Sequence, residues 1–486
     1  MCGGCIMKLE LKEKRKYVWE LEKHGDMNVL GRVYGEEETV KHLHKDVEMG
    51  KDWNALKQIY NVACLPGIQR ASLAMPDVHP GYGFPIGGVG AFNMKEGVIS
   101  VGGVGFDVGC NVANIIIPVK KSDIISKQKE LAEALFRDIP AGLGEKGEIG
   151  LQPGELDEVL VKGVDFVLKK GYGLKSDKEY YEKKGVLEGA DPANVSDIAK
   201  RREKKQLGTL GSGNHYLEVQ YVDEVFDEET AKVYGVDKDS IIVSMHCGSR
   251  ALGHQIGTDY LKVLDGAAKK YDIPIREREL VCAPIESQEG KDYVSAIYAG
   301  MNYSYANKEI LLHLTRKTIG RIFGLSEEDM KLLYCISHNS VMKEKHNGEE
   351  LMVHRKGATR AFGPGHEDLP IKYQKVGQPV LVGGTMGTSS YILKGTQVAM
   401  DETFGSACHG AGRAMSRKQA VQNWRADDIV RELAAKGIIV KGHGRKGIAE
   451  ESPGAYKDVN QVVDVMDKSG ISTKVVKVKP LISVKG

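Results

Sequence analysis

The sequence predicts an α+β fold: one large mixed domain with a central β-rich core surrounded by helices. Helical and strand-like patterns are interspersed along the 486 residues, without the regular strand–helix alternation of a doubly wound parallel sheet. No repeat with a period of roughly 20 to 50 residues recurs, and no Pro/Ser-rich linker divides the chain. We therefore interpret residues 1–486 as a single domain.

Helices are predicted from an apolar period and strands from short β-branched runs. Apolar residues at three- and four-residue spacing predict helices at residues 127–139, 155–171 and 293–323. Short β-branched runs predict buried strands at residues 240–246, 332–338 and 379–384. Several of these strands end in a polar or metal-binding residue followed by Gly, Asn or Ser, so we expect their ends to converge on one site.

Composition excludes several classes of protein. The chain is 41% hydrophobic and 28% charged with a formal net charge of +2, which is typical of a globular protein without a general cationic coat. No apolar run approaches the roughly 20 residues of a membrane helix, and the first residues lack the apolar segment of a signal peptide. We expect a cytoplasmic protein with no membrane association. Eight scattered cysteines indicate reduced thiols, and the CxxC of Cys2 and Cys5 is interpreted as incidental.

An acid, a thiol and several histidines stand at element boundaries. The stretch VGFDVGCNVANII places Asp107 and Cys110 between glycines, immediately before a strand. Four histidines also adjoin Gly, Asn or Cys at such boundaries: His215, His246, His338 and His409. Taken singly, a free Cys is usually a small buried hydrophobe, and a histidine at a strand end is usually structural. Taken together, these residues predict a metal site.

The chemistry of the donors narrows the choice of metal but not the number of ions. A set of carboxylate, imidazole and thiolate suits manganese(II), zinc or iron(II) better than calcium or magnesium. Too few cysteines cluster for an iron–sulfur centre. Because a thiolate can bridge two ions, both a mononuclear and a binuclear centre of the kind used in phosphoryl transfer remain open.

Two glycine-rich segments are typical of phosphate binding. GGTMGTSS, residues 383–390, follows a predicted strand, and HGAGR, residues 409–413, joins glycines to a cation. Glycines let backbone N–H groups approach a phosphate closely, although neither segment is a Walker A motif. The alternative is two ordinary tight turns.

The long motifs of the chain resemble those of the RtcB family of RNA ligases, and the archaeal members most closely. The resemblance runs from about residue 27 to residue 486 and is carried by MPDVHPGYGFPIGGVGAF, GFDVGCNVA, LGTLGSGNHYLEV, MHCGSRALGHQ, HRKGATRAFGPG, GGTMGTSSYIL, CHGAGRAMSR and KPLISVKG. Residues 1–26 are then a family-variable N-terminal extension. Within MPDVHPG, Asp77 and His79 either contact RNA or cap the turn.

This resemblance implies a fold, an activity and two manganese(II) ions. The fold would be RtcB-like, and the activity would be GTP-dependent ligation of RNA 2′,3′-cyclic phosphate or 3′-phosphate ends to 5′-hydroxyl ends, in tRNA splicing and RNA repair. Asp107, Cys110 and His215 would hold one ion, and Cys110, His246 and His338 the other. His409 would be the nucleophile that takes GMP from GTP.

The resemblance also implies the residues that bind the guanylate and RNA. The guanylate would be held by Asn214, His215, Glu218, His338, Asn339, Gly383, Gly384, Thr385, Met386, Ser390, His409, Gly410, Ala411, Gly412, Tyr456 and Lys485. Candidates for RNA phosphate contact are Arg202, Arg250 and Arg413. Arg202 lies in KRREKKQ, which is equally typical of a solvated helix face.

Two other functions remain open beside the ligase. The same ions would serve a metal-dependent RNA cyclic phosphodiesterase, and a nucleotide-binding RNA factor would bind without ligating. His409 separates these alternatives, because neither needs a guanylylated histidine. RNA, such as tRNA halves, is the expected partner, together with an archease-like activator protein, and we expect a monomer.

Overall fold

The computed structural model describes residues 9–142, 144–147, 149–203 and 205–486. Helices and sheets are mixed within it, which confirms the predicted α+β class. Cys2 and Cys5 lie outside the described residues. No helix in the described part of the chain is both long enough and apolar enough to cross a bilayer.

The strands, in chain order, are bounded as follows. They are β1 (Leu11–Arg15), β2 (Val18–Leu21), β3 (Leu30–Tyr34), β4 (Ala71–His79), β5 (Ile86–Asn93), β6 (Val98–Ser100), β7 (Asn111–Ile117), β8 (Tyr216–Val225), β9 (Ile241–Cys247), β10 (Cys282–Pro284), β11 (Lys331–Ser337), β12 (Asn339–His346), β13 (Glu349–Lys356), β14 (Ala358–Arg360), β15 (Pro379–Val382), β16 (Ser390–Gly395), β17 (Ser406–Cys408), β18 (Ile439–Gly442) and β19 (Ser472–Lys485).

The α-helices, in chain order, lie between and after these strands. They are α1 (Glu37–Glu48), α2 (Ala55–Ala63), α3 (Lys121–Ser126), α4 (Gln128–Asp138), α5 (Glu155–Lys162), α6 (Val164–Lys169), α7 (Asp197–Glu203), α8 (Glu228–Tyr234), α9 (Arg250–Lys270), α10 (Gln288–Phe323), α11 (Gln397–Thr403), α12 (Arg417–Asn423), α13 (Ala426–Ala435), α14 (Arg445–Glu450) and α15 (Val459–Lys468).

Two large sheets organise the molecule. One has the order β1-β2-β3-β4-β5-β13-β12, and the other has the order β11-β7-β9-β8-β19-β16-β15, with β18 pairing in parallel with β19. Two short pairs, β10 with β6 and β14 with β17, lie outside them. In the second sheet, β11, β7, β9 and β8 are consecutive antiparallel neighbours, so alternate strands begin and end at the same edge.

The helix α10 runs through the largest apolar cluster instead of lying on the surface. Most of its 36 residues are buried, and it packs beside buried residues of β7 and β9 such as Ile115 and Val243. It covers the predicted helix at residues 293–323 and begins five residues earlier, where the Ser287 side chain accepts a hydrogen bond from Gly290 N and caps it.

The remaining sequence predictions differ from the structure mainly at element ends. The helix at residues 127–139 is observed as α4, whereas the predicted helix at residues 155–171 is two helices, α5 and α6. Gly163 separates them with φ +48° and ψ −126°, a backbone conformation that no helix contains. Within residues 9–26 the structure has β1 and β2, which pair with each other at the edge of the first sheet.

Candidate active site

Four neighbouring strands of the second sheet bring the predicted metal ligands to one edge. Cys110 immediately precedes β7, and His215 immediately precedes β8. His246 is the penultimate residue of β9, and His338 directly follows β11. Because adjacent strands run in opposite directions, two strand beginnings and two strand ends meet at this edge. The expected convergence of strand ends is observed.

The donor atoms of the five predicted ligands form a continuous series. Asp107 Oδ2 lies 3.0 Å from His215 Nε2, and His215 Nε2 lies 3.5 Å from Cys110 Sγ. Cys110 Sγ lies 3.1 Å from His246 Nε2, which lies 3.2 Å from His338 Nε2. The thiol therefore stands at the centre, with an oxygen and a nitrogen on one side and two nitrogens on the other.

These donors fit a divalent transition metal ion. Cys110, His215 and His246 each offer one ligand atom, and the three atoms lie within 4.8 Å of one another. An ion with ligands at about 2.0–2.3 Å separates neighbouring tetrahedral donors by roughly 3.3–3.8 Å, close to the spacings observed here. All three residues are buried, so a bound ion would be shielded from bulk water.

Burial also sets the protonation states of the donors. Burial, together with the neighbouring His338, holds the pKa of His246 well below its usual range, and burial with His409 does the same to the pKa of His338. Both imidazoles are therefore neutral and have the lone pair that a metal requires. Burial and the Asp107 carboxylate raise the pKa of the Cys110 thiol, so this ligand must lose its proton when a metal binds.

A tight turn presents Asp107 and Cys110 together. Cys110 N donates to Asp107 O at 3.1 Å, and Gly109, with φ +69°, closes the turn. A side chain at Gly109 would place its Cβ 3.0 Å from the Met301 backbone on α10. Asn339 fixes the turn from the opposite side, because its Nδ2 donates to Asp107 O at 3.1 Å and its O accepts from Gly109 N at 2.7 Å.

The candidate nucleophile His409 is oriented by Asp77. His409 Nδ1 lies 2.7 Å from Asp77 Oδ2, and the His409 backbone N donates to the same oxygen at 3.2 Å. Asp77 is fully buried at 0% exposure, so this carboxylate has little access to water as an alternative partner. When Nδ1 carries the proton, the lone pair of His409 is on Nε2. The His409 ring lies 4.8 Å from that of His338, which joins it to the metal ligands.

The two glycine-rich segments lie side by side. Gly383 N donates to His409 O at 3.2 Å, and Ala411 N donates to Gly383 O at 3.0 Å. Gly384 N is bonded to Ser390 Oγ at 2.9 Å. A Cβ at Gly410 would lie 3.0 Å from Gly383 O, so a side chain there would push the two segments slightly apart.

A cavity of about 260 Å³ opens between these segments and the predicted ligands. The predicted site residues that line it are Asp107, Cys110, Asn214, Glu218, His246, His338, Asn339, Gly383, Gly384, Thr385, Met386, His409, Gly410, Ala411, Gly412, Arg413, Tyr456 and Lys485. Predicted residues that do not line it are His215, Ser390, Arg202 and Arg250. His215 and Ser390 nevertheless contact lining residues, through Cys110 and Gly384 respectively.

Glu218 lies on β8 with both of its oxygens already bonded. Gln220 Nε2 donates to Oε2 at 2.9 Å, and Ser483 Oγ donates to Oε1 at 3.0 Å. Burial holds the pKa of Glu218 above its usual value, although the positive charge of the nearby Lys485 opposes the rise. Lys485 reaches this position because its backbone pairs with Tyr216, and its Nζ lies 5.5 Å from the Tyr216 ring centroid.

Tyr456, Arg413 and the buried Glu451 form a second polar group in the cavity wall. Arg413 Nη1 donates to Tyr456 OH at 3.1 Å and to Glu451 Oε1 at 3.3 Å, and Tyr456 OH donates to Glu451 Oε2. Arg413 thus holds the tyrosine in place, and any contact of this arginine with RNA remains a prediction. Glu451 was not among the sequence candidates; its only signal is its position immediately before the SPGAY segment.

Asp77 is the other functional group that the sequence did not resolve. Its motif, MPDVHPG, allowed a turn cap or an RNA contact, whereas the structure places its carboxylate on a histidine 332 residues away. A local sequence motif cannot indicate a side-chain contact between residues so far apart in the chain. His79, in the same motif, lines the cavity.

The two remaining arginine candidates lie outside the cavity. Arg250 Nη1 is 3.5 Å from His215 Nδ1, and its Nε donates to Thr209 Oγ1 at 3.2 Å. Arg202, on α7, donates from Nη1 to Gln255 Oε1 at 2.8 Å. Arg250 therefore stands next to a predicted metal ligand, and Arg202 lies farther out on the surface.

Comparison with known proteins gives concordant matches along the chain. A family model described as "tRNA-splicing ligase RtcB" matches residues 58–486. Proteins named tRNA-splicing ligase RtcB are similar to almost the whole chain: that of Methanococcus maripaludis is 49% identical over 95% of each chain. Those of Thermococcus kodakarensis and Archaeoglobus fulgidus are 46% and 47% identical, each over 98% of this chain and 99% of the relative.

Proposed function

The chain belongs to the RtcB family and is an RNA ligase that acts in tRNA splicing, and from this premise we propose that it uses GTP and manganese(II) through a guanylylated His409. The observation that carries the proposal is the position of His409. Its ring is held by Asp77 at one nitrogen and adjoins the ring of His338, at the wall of the cavity that both glycine-rich segments line.

In the proposed first step, His409 Nε2 attacks the α-phosphorus of GTP. A P–N bond forms, the bond from the α-phosphorus to the bridging oxygen breaks, and pyrophosphate leaves with that electron pair. Asp77 keeps the Nδ1 proton in place and stabilises the positive charge that develops on the imidazole.

We propose two metal positions that share Cys110. Asp107, Cys110 and His215 would hold one manganese(II) ion, and Cys110, His246 and His338 the second, consistent with the order of donor atoms in the structure. Bound ions neutralise phosphate oxygens and so reduce the repulsion that a nucleophile meets. The donor set itself suits manganese, zinc and iron(II), and family membership favours manganese.

The guanylate would occupy the cavity. The Gly383–Met386 and His409–Gly412 segments line the cavity and would face the phosphates, with Asn214, Asn339 and Ser390 as neighbouring polar groups. Glu218, Tyr456 and Lys485 lie on other walls and are proposed for the nucleoside. His215 and His338 would contact the guanylate through the metal ions that they are proposed to hold.

The later steps join two RNA ends. Water opens a 2′,3′-cyclic phosphate to a 3′-phosphate, whose oxygen attacks the phosphorus on His409; the P–N bond breaks and the RNA 3′-guanylate forms. The 5′-hydroxyl of the second RNA end then attacks the 3′-phosphorus, and GMP leaves as a 3′,5′-phosphodiester forms. Arg202, Arg250 and Arg413 are proposed as RNA phosphate contacts. Broken tRNA halves are the proposed substrates, with RNA repair as a second role.

The same proposal covers the cellular location, the oligomeric state, the domain organisation and the activator of the protein. We propose a cytoplasmic monomer in which residues 1–486 act as one domain, with residues 1–26 as a family-variable N-terminal extension. An archease-like protein is proposed as its activator. A cyclic phosphodiesterase or a non-ligating RNA factor would need the metal ligands or the cavity, but neither needs a guanylylated histidine, so labelling of His409 separates them from the ligase.

Labelling with α-³²P-GTP tests the proposal. Wild-type protein and His409→Ala are incubated with the nucleotide and manganese(II), denatured and counted, and joining of RNA 2′,3′-cyclic phosphate and 5′-hydroxyl ends is measured in parallel. We expect label on the wild type alone, lost in acid and kept in alkali as a phosphoramidate is. Equal label on both proteins would exclude His409. Absence of label from both, with the cyclic phosphate still opened, would favour the phosphodiesterase.

A further inference from the structure

Four aromatic rings form a continuous path over the surface beside the metal ligands. The Trp53 and Tyr82 ring centroids are 5.8 Å apart, Tyr82 and Phe106 are 6.0 Å apart, and Phe106 and His254 are 5.3 Å apart. Large aromatic side chains are ordinarily buried, yet Trp53 and Tyr82 are 52% and 53% exposed. The four residues come from four separate parts of the chain, so their alignment is a property of the fold.

The path leads directly to the site already described. Phe106 precedes the predicted ligand Asp107, and Tyr82 lies at the tip of a loop whose two ends, His79 and Ile86, line the cavity. At its other end, His254 precedes Gln255, which is bonded to Arg202. An aromatic surface therefore extends from the metal ligands to a cation.

The rings are held rigidly, as a preformed binding surface requires. Trp53 Nε1 donates to Gly81 O at 2.6 Å, and Gly81 N donates to Gln58 Oε1 at 2.9 Å, so the loop that carries Tyr82 is tied to α2. Lys356 Nζ also donates to Tyr82 O. Phe106 rests on α9 at Gly257, where an added Cβ would lie 2.9 Å from the ring.

We propose that this path is a stacking surface for unpaired nucleotides of the RNA next to the ends being joined. Every base has an apolar face, and proteins bind single strands by stacking successive bases on aromatic side chains beside cations. The ring spacings of 5.3–6.0 Å leave no space for a base between neighbouring rings. The bases would instead cover the exposed outer faces of Trp53 and Tyr82.

The chemistry of the rings specifies the kind of RNA. In a duplex every base inside the end pairs is stacked on both of its faces, so successive bases cannot lie on protein rings. The surface therefore favours RNA ends with unpaired nucleotides over blunt duplex ends. The inference rests on the RNA-ligase assignment for the identity of the ligand, but it does not depend on GTP, manganese or His409.

Binding of a fluorescent RNA tests the proposal. The probe is a 12-nucleotide single strand with a 5′-hydroxyl end, and fluorescence anisotropy is measured for the wild type, Trp53→Ala, Tyr82→Ala and Tyr82→Phe. We expect each alanine variant to bind about 5- to 150-fold more weakly, because one stacked base is lost. Tyr82→Phe keeps the ring and should bind within about twofold of the wild type. Binding of the blunt duplex of the same sequence should change less.

Phe226 provides a matched control. It is also an exposed aromatic residue, at 42%, but it follows β8 at the end opposite to His215. Ten residues of strand separate these ends by roughly 30 Å, so Phe226→Ala should leave RNA binding unchanged. Thermal melting of every variant confirms that each is folded before binding is compared.

Three results would overturn the inference. They are wild-type affinity of both alanine variants for the single strand, an equal loss of affinity for the duplex, and failure of the wild type to bind the single strand. Labelling by α-³²P-GTP is run on the same proteins and should be unchanged in Trp53→Ala and Tyr82→Ala. A wild type that binds RNA but takes no label would contradict the proposed His409 chemistry and leave the stacking surface supported.

Discussion

At the scale of single residues, the pairing of Asp77 with His409 does most to define the chemistry. A histidine in water exchanges its proton between two nitrogens, whereas a buried carboxylate at 2.7 Å fixes the proton on Nδ1. Asp77 therefore acts through His409 and is a positioning residue. Its second oxygen, Oδ1, is buried without a hydrogen-bond partner among the described residues, so Oδ2 carries both bonds to His409.

Replacing Asp77 tests this role. In Asp77→Asn the neutral amide no longer stabilises a cationic imidazole, and its NH₂ group can face Nδ1 in place of an acceptor. We expect the single-turnover rate of guanylylation to fall by about 10²-fold or more. Manganese content, measured by elemental analysis, should match the wild type because Asp77 is not among the five proposed ligands. A rate within threefold of the wild type would contradict the positioning role.

A second residue, Glu203, makes stability depend on pH. Burial raises the pKa of Glu203 to about 7, although Tyr303 OH and Leu252 N both donate to its oxygens at 2.9 Å. In the unfolded chain this carboxyl ionises near pH 4.5. The unfolded state therefore gains free energy of ionisation from about pH 4.5 upward while the folded state does not until about pH 7, so folding stability falls across that window.

We expect Glu203→Gln to remove this pH-dependent loss of folding stability. Relative to the wild type, the variant should gain up to about 3 kcal/mol between pH 5 and pH 8, measured as the shift in the urea unfolding midpoint at the two pH values. Glu48→Gln, at an exposed position, is the control and should shift little. A difference between Glu203→Gln and the wild type that stays constant with pH would refute the assignment.

At the scale of elements, the segment after β17 depends on one glycine. Gly412 has φ +71°, and a Cβ there would lie 2.3 Å from the Asp77 backbone oxygen. Gly412→Ala must push the His409 segment away from β4. We expect a cost of about 1–3 kcal/mol from backbone strain and overpacking, seen as a lower melting temperature, together with loss of labelling by α-³²P-GTP.

Gly437 is the control position, because an alanine there strains the backbone without displacing a neighbouring segment. It has φ +78°, but a Cβ there meets nothing within 4 Å. Gly437→Ala should therefore lower the melting temperature through strain alone, by about 1 kcal/mol, and leave labelling at the wild-type level. If Gly412→Ala also labelled normally, contact with Asp77 would not be needed to place His409.

The sequence predicted helices and strands better than it predicted breaks within helices or contacts between distant side chains. Apolar residues at three- and four-residue spacing located α4 and α10, and short β-branched runs located β9 and β11, because strands that are buried on both faces are apolar along their whole length. The break at Gly163 was missed because the apolar spacing continues across it. The roles of Asp77 and Glu451 were missed for a different reason. Asp77 binds His409, 332 residues away, and Glu451 binds Arg413, 38 residues away, and only the fold brings these pairs together.

At the scale of the whole molecule, the metal ligands join segments that are far apart along the chain. Asp107 and Cys110 share one turn, and His215, His246 and His338 come from three further strands. The unfolded chain cannot present these groups together, so ions bind the folded state. We expect manganese(II) at about 100 times its dissociation constant to add roughly 2.7 kcal/mol of stability.

Thermal melting with and without manganese checks this expectation. The midpoint of the wild type should rise with added ion and return on treatment with a chelator. Cys110→Ser should lose most of the rise, because Cys110 is the donor shared by both proposed positions. Cys64→Ser, at a half-buried free cysteine, should retain it. An equal rise in Cys110→Ser would place the ion elsewhere.

The wide separation of these groups also bears on synthesis. The ribosome makes Cys110 about 300 residues before it makes His409, which at the usual elongation rate is an interval of roughly 15 to 60 s. His338, needed to complete the second proposed metal position, is also made well after Cys110. For most of that interval the thiol is outside the ribosome and lacks the walls that bury it in the finished protein. The nascent chain is therefore the form of this enzyme most open to oxidation, and a reducing compartment protects its production more than its activity.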